Sequence, residues 1–268
     1  YIVVYFVKNT LPVALFRAAY VLSNVVFYSA AFSSALYPRM LAKKERKDIE
    51  ETLRLTLMFA TPLSAAVIVM RDPFLCIFGT KYIKAHDALL ILTAAFFFAS
   101  LSRIFKTVIL GAEETDLKKK AGIRDYLKSS FFILPTARYI VAGGYIALLS
   151  ALLSVKILDP VIAWSTAFLA SRIALATWEH YYSRKMIAYK IPYTSLAKYV
   201  LSSTIMALTL VLLKAPEATN TRIFPLLIQL APYIIVGAAV YFTVLLSIDD
   251  YSRSLAKRVL NKIRAKLT

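Results

Sequence analysis

The sequence contains too few cysteine, histidine and glycine residues to build several common kinds of functional centre. It has one cysteine, Cys76, and two histidines, so no disulfide, zinc site or iron–sulfur cluster can be formed from cysteines within the chain. It lacks the GxxxxGK(S/T) and GxGxxG motifs of ATPases and dinucleotide-binding proteins. Asp116 and Asp125 have no regular spacing to other ligands, and we interpret them as solvated link residues. We therefore predict no catalytic site, no bound metal and no cofactor.

Hydrophobic residues are instead abundant and form long uninterrupted runs. They make up 59% of the chain, and the mean hydropathy is +0.65. Several runs approach or exceed the roughly 20 residues that a helix needs to cross a bilayer. Continuous runs argue against a transmembrane β-barrel, whose strands alternate in polarity. The predicted fold class is all-α, a polytopic transmembrane helical bundle.

The apolar runs predict seven spans in a single transmembrane domain of residues 1–268. The predicted spans are about 11–36, 53–70, 86–111, 129–153, 158–178, 196–213 and 223–248. A helix stub at 1–7 precedes them, a link at 43–54 is predicted to lie on the membrane surface, and a basic tail at 249–268 follows. Because the chain opens inside an apolar segment, we expect it to be the C-terminal part of a longer transporter.

Basic residues alternate between successive links. Lys and Arg number twenty in 37–52, 112–128, 179–198 and 249–268, but only six in 71–84, 154–160 and 214–222. The positive-inside rule places the more basic set in the cytoplasm. We therefore predict a multi-pass protein of the cytoplasmic membrane with a cytoplasmic C-terminus. The net charge of +18 needs no nucleic-acid partner, because it resides mainly in these links.

Six basic residues lie inside the predicted spans, whereas all 15 acidic residues fall in links or at span ends. Arg54 is close enough to a span end to reach the interface. The residues that we predict to bind an anionic head group are Arg103, Arg138, Lys106, Arg17 and Arg172. Arg103 and Arg138 lie roughly 12–13 Å deep, where a cation costs at least about 2.5 kcal/mol unless it is paired or hydrated.

This charge distribution predicts a cavity lined by cations and without acidic residues. Such a cavity suits a phosphate or pyrophosphate group, since guanidinium groups form paired, charge-assisted hydrogen bonds with it. Two alternatives remain. Arg103 and Arg138 could pair with backbone carbonyls or with helices outside this chain, and Lys106 could extend to the interface.

Two spans carry residues that disfavour regular helix. Pro62 lies in the second span, and Pro135 with Gly143 and Gly144 lies in the fourth. We predict helix breaks at these positions, of the kind that transporters use to line a site or bend a gate. The alternative is a proline kink that serves packing alone.

Short motifs along the chain resemble, in their order and spacing, the polysaccharide flippases of the multidrug/oligosaccharidyl-lipid/polysaccharide exporter superfamily. The segment from Leu36 to Tyr82 contains an FPxL-like helix end, a basic link, a proline-containing helix and an LFG-like turn followed by tyrosine. Further similar motifs are Val108–Ala112, Ile191–Lys198 and Val236–Tyr241. The stretch Lys156–Pro160 departs from the family pattern, which usually has a small polar helix start there.

The resemblance implies a protein of twelve to fourteen helices in two lobes around a central cavity, of which this chain is the second lobe. It implies translocation of polyprenyl- or dolichyl-linked oligosaccharide by alternating access. The implied partners are the lipid-linked sugar substrate, membrane lipids and the N-terminal lobe of the same transporter, with no nucleic acid.

Other functions remain open from the sequence. A multidrug exporter or a lipid-linked peptidoglycan precursor flippase of the same superfamily would have the same fold, and a membrane-embedded carboxylate would favour the exporter. A membrane-embedded glycosyltransferase acting on polyprenyl lipids would need acidic metal ligands or a large outer loop, and we find neither in the sequence.

Overall fold

The computed structural model describes residues 2–113, 127, 129–214 and 223–267. Its α-helices are α1 (Ile2–Val7), α2 (Leu11–Ser23), α3 (Ser33–Lys43), α4 (Arg46–Val69), α5 (Arg71–Cys76), α6 (His86–Ala112), α7 (Ser130–Val155), α8 (Pro160–Met186), α9 (Tyr193–Leu212), α10 (Ile223–Ile248) and α11 (Asp250–Leu267). Two 3₁₀ helices, Asn24–Phe32 and Thr80–Ala85, precede α3 and α6. Asp116 and Asp125, predicted to be link residues, lie outside the described residues.

Seven helical segments are long and apolar enough to cross a bilayer. They are Leu11–Lys43, Arg46–Val69, Thr80–Ala112, Ser130–Val155, Pro160–Met186, Tyr193–Leu212 and Phe224–Ile248. The described part of the chain contains no strand. The predicted all-α polytopic bundle is therefore confirmed, and the protein is a multi-pass membrane protein.

Helix α6 is the centre of the bundle. Its sequence is apolar on nearly every side, as expected of a helix surrounded by other helices. It packs most extensively on α8 and also contacts α2, α3, α4 and the Asn24–Phe32 segment. At its end, a Cβ added to Gly111 would lie 2.5 Å from Met40 Cβ, so this glycine permits the close approach of α3.

The remaining spans form two flanks. On one flank, α9 packs on α4 and on α10, and buried Tyr199, Met206 and Leu245 contribute to the contact. On the other flank, α7 rests on α8 and contacts α6 only sparsely. Only 11% of the residues in the apolar stretch of α7 are buried, the smallest share among the seven candidate spans.

The described parts of the basic links meet at one end of the bundle, which we call the basic end. Lys44 Nζ donates to the carbonyl of Ala112 over 3.2 Å, and the amide of Ser130 donates to Glu113. The amide of Lys190 donates to Glu50 Oε1 over 3.0 Å. The alternation of charge in the sequence therefore corresponds to an alternation of the spans between two ends.

Two predicted boundaries differ from the structure. The fifth span was predicted to end near 178, but α8 continues to Met186. Residues 43–54 were predicted to form a surface helix, whereas α4 begins at Arg46 and runs without interruption into the second span. In both cases hydropathy marks the apolar part of a helix, and the helix itself continues into polar sequence.

The predicted helix breaks are wrong, because α4 runs through Pro62 and α7 runs through Pro135, Gly143 and Gly144. A proline removes a single helical hydrogen bond, which a neighbouring group can replace. Pro62 leaves the carbonyl of Met58 without its usual donor. The hydroxyl of Tyr241, which is 1% exposed on α10, donates to this carbonyl over 2.6 Å. The proline is thus part of the joint between α4 and α10.

We expect Tyr241→Phe to lower the free energy of unfolding by about 0.5–2 kcal/mol, the usual range for a hydrogen bond between membrane helices. In a Pro62→Ala background the loss should be smaller, because an alanine at this position supplies a backbone N–H to the carbonyl of Met58. The coupling between the two positions is measured by thermal unfolding of four purified proteins: wild type, Tyr241→Phe, Pro62→Ala and the double variant. Equal losses in both backgrounds would show that the hydroxyl does not compensate for the proline.

A second joint connects the start of α11 to α9. Lys198 Nζ lies 3.2 Å from Asp249 Oδ1, while the amide and hydroxyl of Ser252 donate to Oδ2 over 3.0 and 2.7 Å. Burial alone would raise the pKa of the Asp249 carboxyl, but the bonds from Ser252 and Lys198 outweigh burial and hold it below its usual value. The ionised carboxylate therefore stabilises the folded state.

Because the folded pKa of Asp249 lies below the unfolded one, its stabilisation is present above the unfolded pKa of about 3.9. It is lost as the pH falls through the folded pKa. We expect Asp249→Asn to be less stable than wild type at pH 6 and to lose less stability than wild type on acidification. Thermal unfolding of both proteins, measured from pH 6 down to acid pH, tests this expected difference in stability. The neighbouring Asp250, whose side chain is 92% exposed, provides the control Asp250→Asn, which should keep the acid dependence.

Candidate functional site

A cavity of about 580 Å³ lies between the Asn24–Phe32 segment, α6, α7 and α8. We call it the cationic cavity. It is lined by Phe27, Ala99, Ser102, Arg103, Lys106, Arg138, Val141, Ala142, Tyr145, Phe168, Ser171, Arg172 and Leu175. Four of these side chains are basic and none is acidic.

Helical periodicity explains why these residues meet. On α8, Phe168, Arg172 and Leu175 follow each other at spacings of four and three, which places them on one helix face. On α7, Arg138 and Tyr145 are seven residues apart and share a face in the same way. Each helix presents one stripe to the cavity.

The cavity lies within the membrane-spanning part, nearer to the basic end. At 1.5 Å per residue, Lys106 and Arg103 lie about 9 and 13 Å from the end of α6, and Arg138 about 12 Å from the start of α7. Arg172 lies deeper, about 21 Å from the end of α8. The basic side chains therefore extend through roughly half of the bundle.

A buried carboxylate lies directly behind the cavity lining. Glu179 on α8 is 0% exposed, and Arg138 Nη2 lies 2.8 Å from its Oε1. The hydroxyl of Ser102 donates to its Oε2. The ion pair and this hydrogen bond connect α8 to α7 and to α6. They also compensate the loss of hydration, which costs several kcal/mol for an unpaired buried ion.

Glu179 corrects the prediction that the spans contain no buried counter-anion. The predicted span ended one residue before it, so the carboxylate was assigned to a link. Four cavity-lining cations and one adjacent carboxylate still leave a formal excess of three positive charges. The cavity is therefore cationic, although it is not free of acid.

The other two arginines have weaker partners. The guanidinium carbon of Arg103 lies 5.3 Å from the centre of the Phe27 ring, and that of Arg172 lies 4.6 Å from the centre of the Phe168 ring. In addition, the Nε atoms of Arg138 and Arg172 are buried without a hydrogen-bond partner among the described residues. Because both atoms are buried, an anion in the cavity would reach these donors only if the arginine side chains moved.

The structure brings together four of the five residues predicted to bind an anion, namely Arg103, Lys106, Arg138 and Arg172. Arg17 does not line the cationic cavity and is exposed. The reason is its position on α2, where it lies opposite the face that buries Leu15 and Ala19. Depth in a span alone does not indicate which way a side chain points.

Sequence reasoning missed Glu179 and Phe27. A signal for Glu179 was present, because position 179 continues the 168–172–175 stripe by four residues. Trp178 and Tyr182, whose rings stack 5.4 Å apart, are residue types that favour the membrane interface, so they also indicated a later span end. For Phe27 there was no such signal, since its direction depends on a 3₁₀ segment inside an apolar run.

We expect Glu179→Ala to destabilise the protein by roughly 2–4 kcal/mol, because it leaves the Arg138 guanidinium in the membrane without a counter-ion. Replacing both residues by methionine should recover most of this loss, since an apolar pair requires no counter-charge. Thermal unfolding measures both. Arg46→Ala, which breaks the exposed 2.7 Å pair with Glu50, is the control and should change stability by less than about 1 kcal/mol. A methionine pair as unstable as Glu179→Ala would contradict the charge argument.

No protein-family profile, curated protein or solved structure matches this chain. The resemblance to the flippases therefore stays a prediction. A function for the protein has to be argued from the cationic cavity and from the membrane topology.

Proposed function

We propose that the chain is part of a flippase that translocates polyprenyl- or dolichyl-phosphate-linked oligosaccharide across the cytoplasmic membrane by alternating access. The observation that carries this proposal is the cationic cavity inside the membrane-spanning bundle. Its charge fits a phosphate or diphosphate group, because guanidinium groups form charge-assisted hydrogen bonds with phosphate oxygens. The product would serve the synthesis of surface polysaccharide or glycoprotein.

The position of the cavity supports loading from one side. From the positive-inside rule we propose that the basic end faces the cytoplasm and that the C-terminus lies on the same side. The cavity then reaches from the cytoplasmic half of the membrane to about its middle, so a lipid-linked sugar assembled on the cytoplasmic leaflet would enter it from that side. Tyr145 and Phe168 line the deeper part and offer aromatic surfaces to the sugar.

An arrangement with four cations and no lining carboxylate is poorly suited to catalysis of glycosyl transfer. Such enzymes commonly hold a divalent metal with carboxylates, and the described lining offers none. We therefore propose a transporter rather than an enzyme, and no resident cofactor is required. Membrane lipids and the other lobe of the transporter complete the surroundings of the cavity.

One observation favours a second candidate, a cation-coupled multidrug exporter. Glu179 is a membrane-embedded carboxylate, which is the feature expected of such exporters. Its ion pair with Arg138 weakens this alternative, because the carboxylate already has a cation.

A lipid-linked peptidoglycan precursor is another possible cargo. Its phosphate groups would bind in the cationic cavity in the same way as those of a lipid-linked oligosaccharide.

We expect Arg103→Gln and Arg172→Gln each to reduce transport of a lipid-linked oligosaccharide roughly tenfold or more, since a hydrogen bond to a charged group contributes about 1.5–3 kcal/mol. The gene is tested in a strain that lacks its own oligosaccharide flippase. Surface glycan is measured relative to membrane protein level. Arg17→Gln removes an exposed cation outside the cavity and should retain transport.

Arg138 requires a different design, because it also neutralises Glu179. The double variant Arg138→Gln/Glu179→Gln contains no unpaired charge, so a purely structural arginine would allow it to function. We expect the double variant to fold and to fail in transport. Normal transport by all arginine variants would overturn the proposed site. Dye efflux by the wild type that is lost in Glu179→Gln, with no oligosaccharide transport by the wild type, would favour the exporter.

A further inference from the structure

A second cavity lies beside the cationic cavity. It has a volume of about 550 Å³ and lies between α6 and α7. It shares Lys106, Arg138 and Ala142 with the cationic cavity, so the two spaces meet at these residues. We call it the side groove.

The side groove exists because α7 packs on α8 and contacts α6 only sparsely. On α7 its wall runs from Ser130 to Ala142, a distance of about 18 Å along the helix. Pro135 and Ala142 lie seven residues apart on the same face of α7, and their small side chains leave room in the groove. Pro135 is exposed, so the groove opens at the surface of the bundle.

The chemistry changes along this path. Lys106 and Arg138 stand at the inner end, where the groove meets the cationic cavity. Beyond them the wall is mainly apolar, with Leu110, Phe131 and Leu134. These residues lie within a few positions of the end of α6 and the start of α7, so the groove lies in the half of the bundle nearer to the basic end and opens sideways at the exposed Pro135.

We propose that the side groove holds the hydrocarbon chain of an anionic lipid whose head group lies in the cationic cavity. A ligand with a charged head and a long apolar tail would match this sequence of cations followed by apolar side chains. The groove lets the tail leave the cavity without crossing its charged wall, so the tail stays in apolar surroundings. The proposal rests on the proposed function only for the anionic head group.

The groove also indicates how the lipid enters. Because the groove opens sideways in the half of the bundle nearer to the basic end, its opening faces the hydrocarbon of the leaflet at that end. The head group can therefore reach the cationic cavity while the tail remains connected to its own leaflet. Lys106 and Arg138 lie at the junction, where the phosphate nearest to the tail would be placed.

The test uses the purified full-length protein in nanodiscs and two probes. One probe is a long-chain polyprenyl diphosphate with a photoreactive diazirine in its chain, and the other is inorganic pyrophosphate. Pro135→Trp fills the groove from an exposed position. Ala147→Trp is the matched control, because residue 147 is an exposed alanine of α7 that lines neither cavity.

We expect Pro135→Trp to weaken binding of the polyprenyl diphosphate roughly tenfold or more, since one methylene group in an apolar pocket already changes affinity by about tenfold. Pyrophosphate binding should be unchanged, and Ala147→Trp should change neither. In the wild-type protein, the diazirine should label peptides from the end of α6 and the start of α7. This labelling gives a result even if Pro135→Trp does not fold.

The outcomes separate this inference from the proposed function. If wild type binds pyrophosphate but Pro135→Trp binds the lipid normally, or if the label maps away from α6 and α7, the groove assignment is overturned and the anion site stands. If wild type binds neither probe, both are overturned. If the label maps to the groove but no oligosaccharide is transported, the lipid site stands and the proposed cargo is wrong.

Discussion

The bond between Arg138 and Glu179 is the interaction on which the rest of the cavity depends. Glu179 is fully buried, and a carboxylate in the membrane-spanning part persists only if its charge is compensated. Arg138 and Ser102 provide this compensation from two other helices. Helix α7, which has little other packing, is thereby tied to α8 and α6 at the level of the cavity. The bond holds Arg138 at the junction of the cationic cavity and the side groove, which it lines on both sides.

The other two arginines of the cavity, Arg103 and Arg172, have only weak partners and can therefore bind a ligand. Arg103 and Arg172 lie over aromatic rings, and a cation–π contact contributes only about 0.5–2 kcal/mol. A phosphate oxygen would form a stronger bond with either guanidinium group. Arg138 differs, because part of its guanidinium is already bonded to Glu179 while its Nε–H is unpaired. The cavity therefore contains one fixed cation and several that a ligand can attract.

Hydropathy predicted the seven spans and their alternation, because long apolar runs and basic links are direct consequences of the bilayer. It also predicted which cations lie deep, and four of them do meet in one cavity. It could not predict how helices compensate local defects. The donor to the carbonyl that Pro62 leaves free is Tyr241, which is distant in sequence, and nothing near Pro62 indicates it. Glu179 was missed because the apolar run ends before the helix does.

The Asn24–Phe32 segment is where the first span departs from α-helical geometry. Nine residues in 3₁₀ conformation are unusually many, since the hydrogen-bond geometry of such helices is poorer than that of an α-helix. The proline positions do not have this property, because helices α4 and α7 are continuous through them. A change from 3₁₀ to α would shorten the segment by about 4–5 Å, given rises of about 2.0 and 1.5 Å per residue. Such a change would move Phe27, and with it the ring over which Arg103 lies. A change of conformation in the first span would thus act on a cation of the cavity, whereas the central helix α6 that carries Arg103 is held by packing on nearly every side.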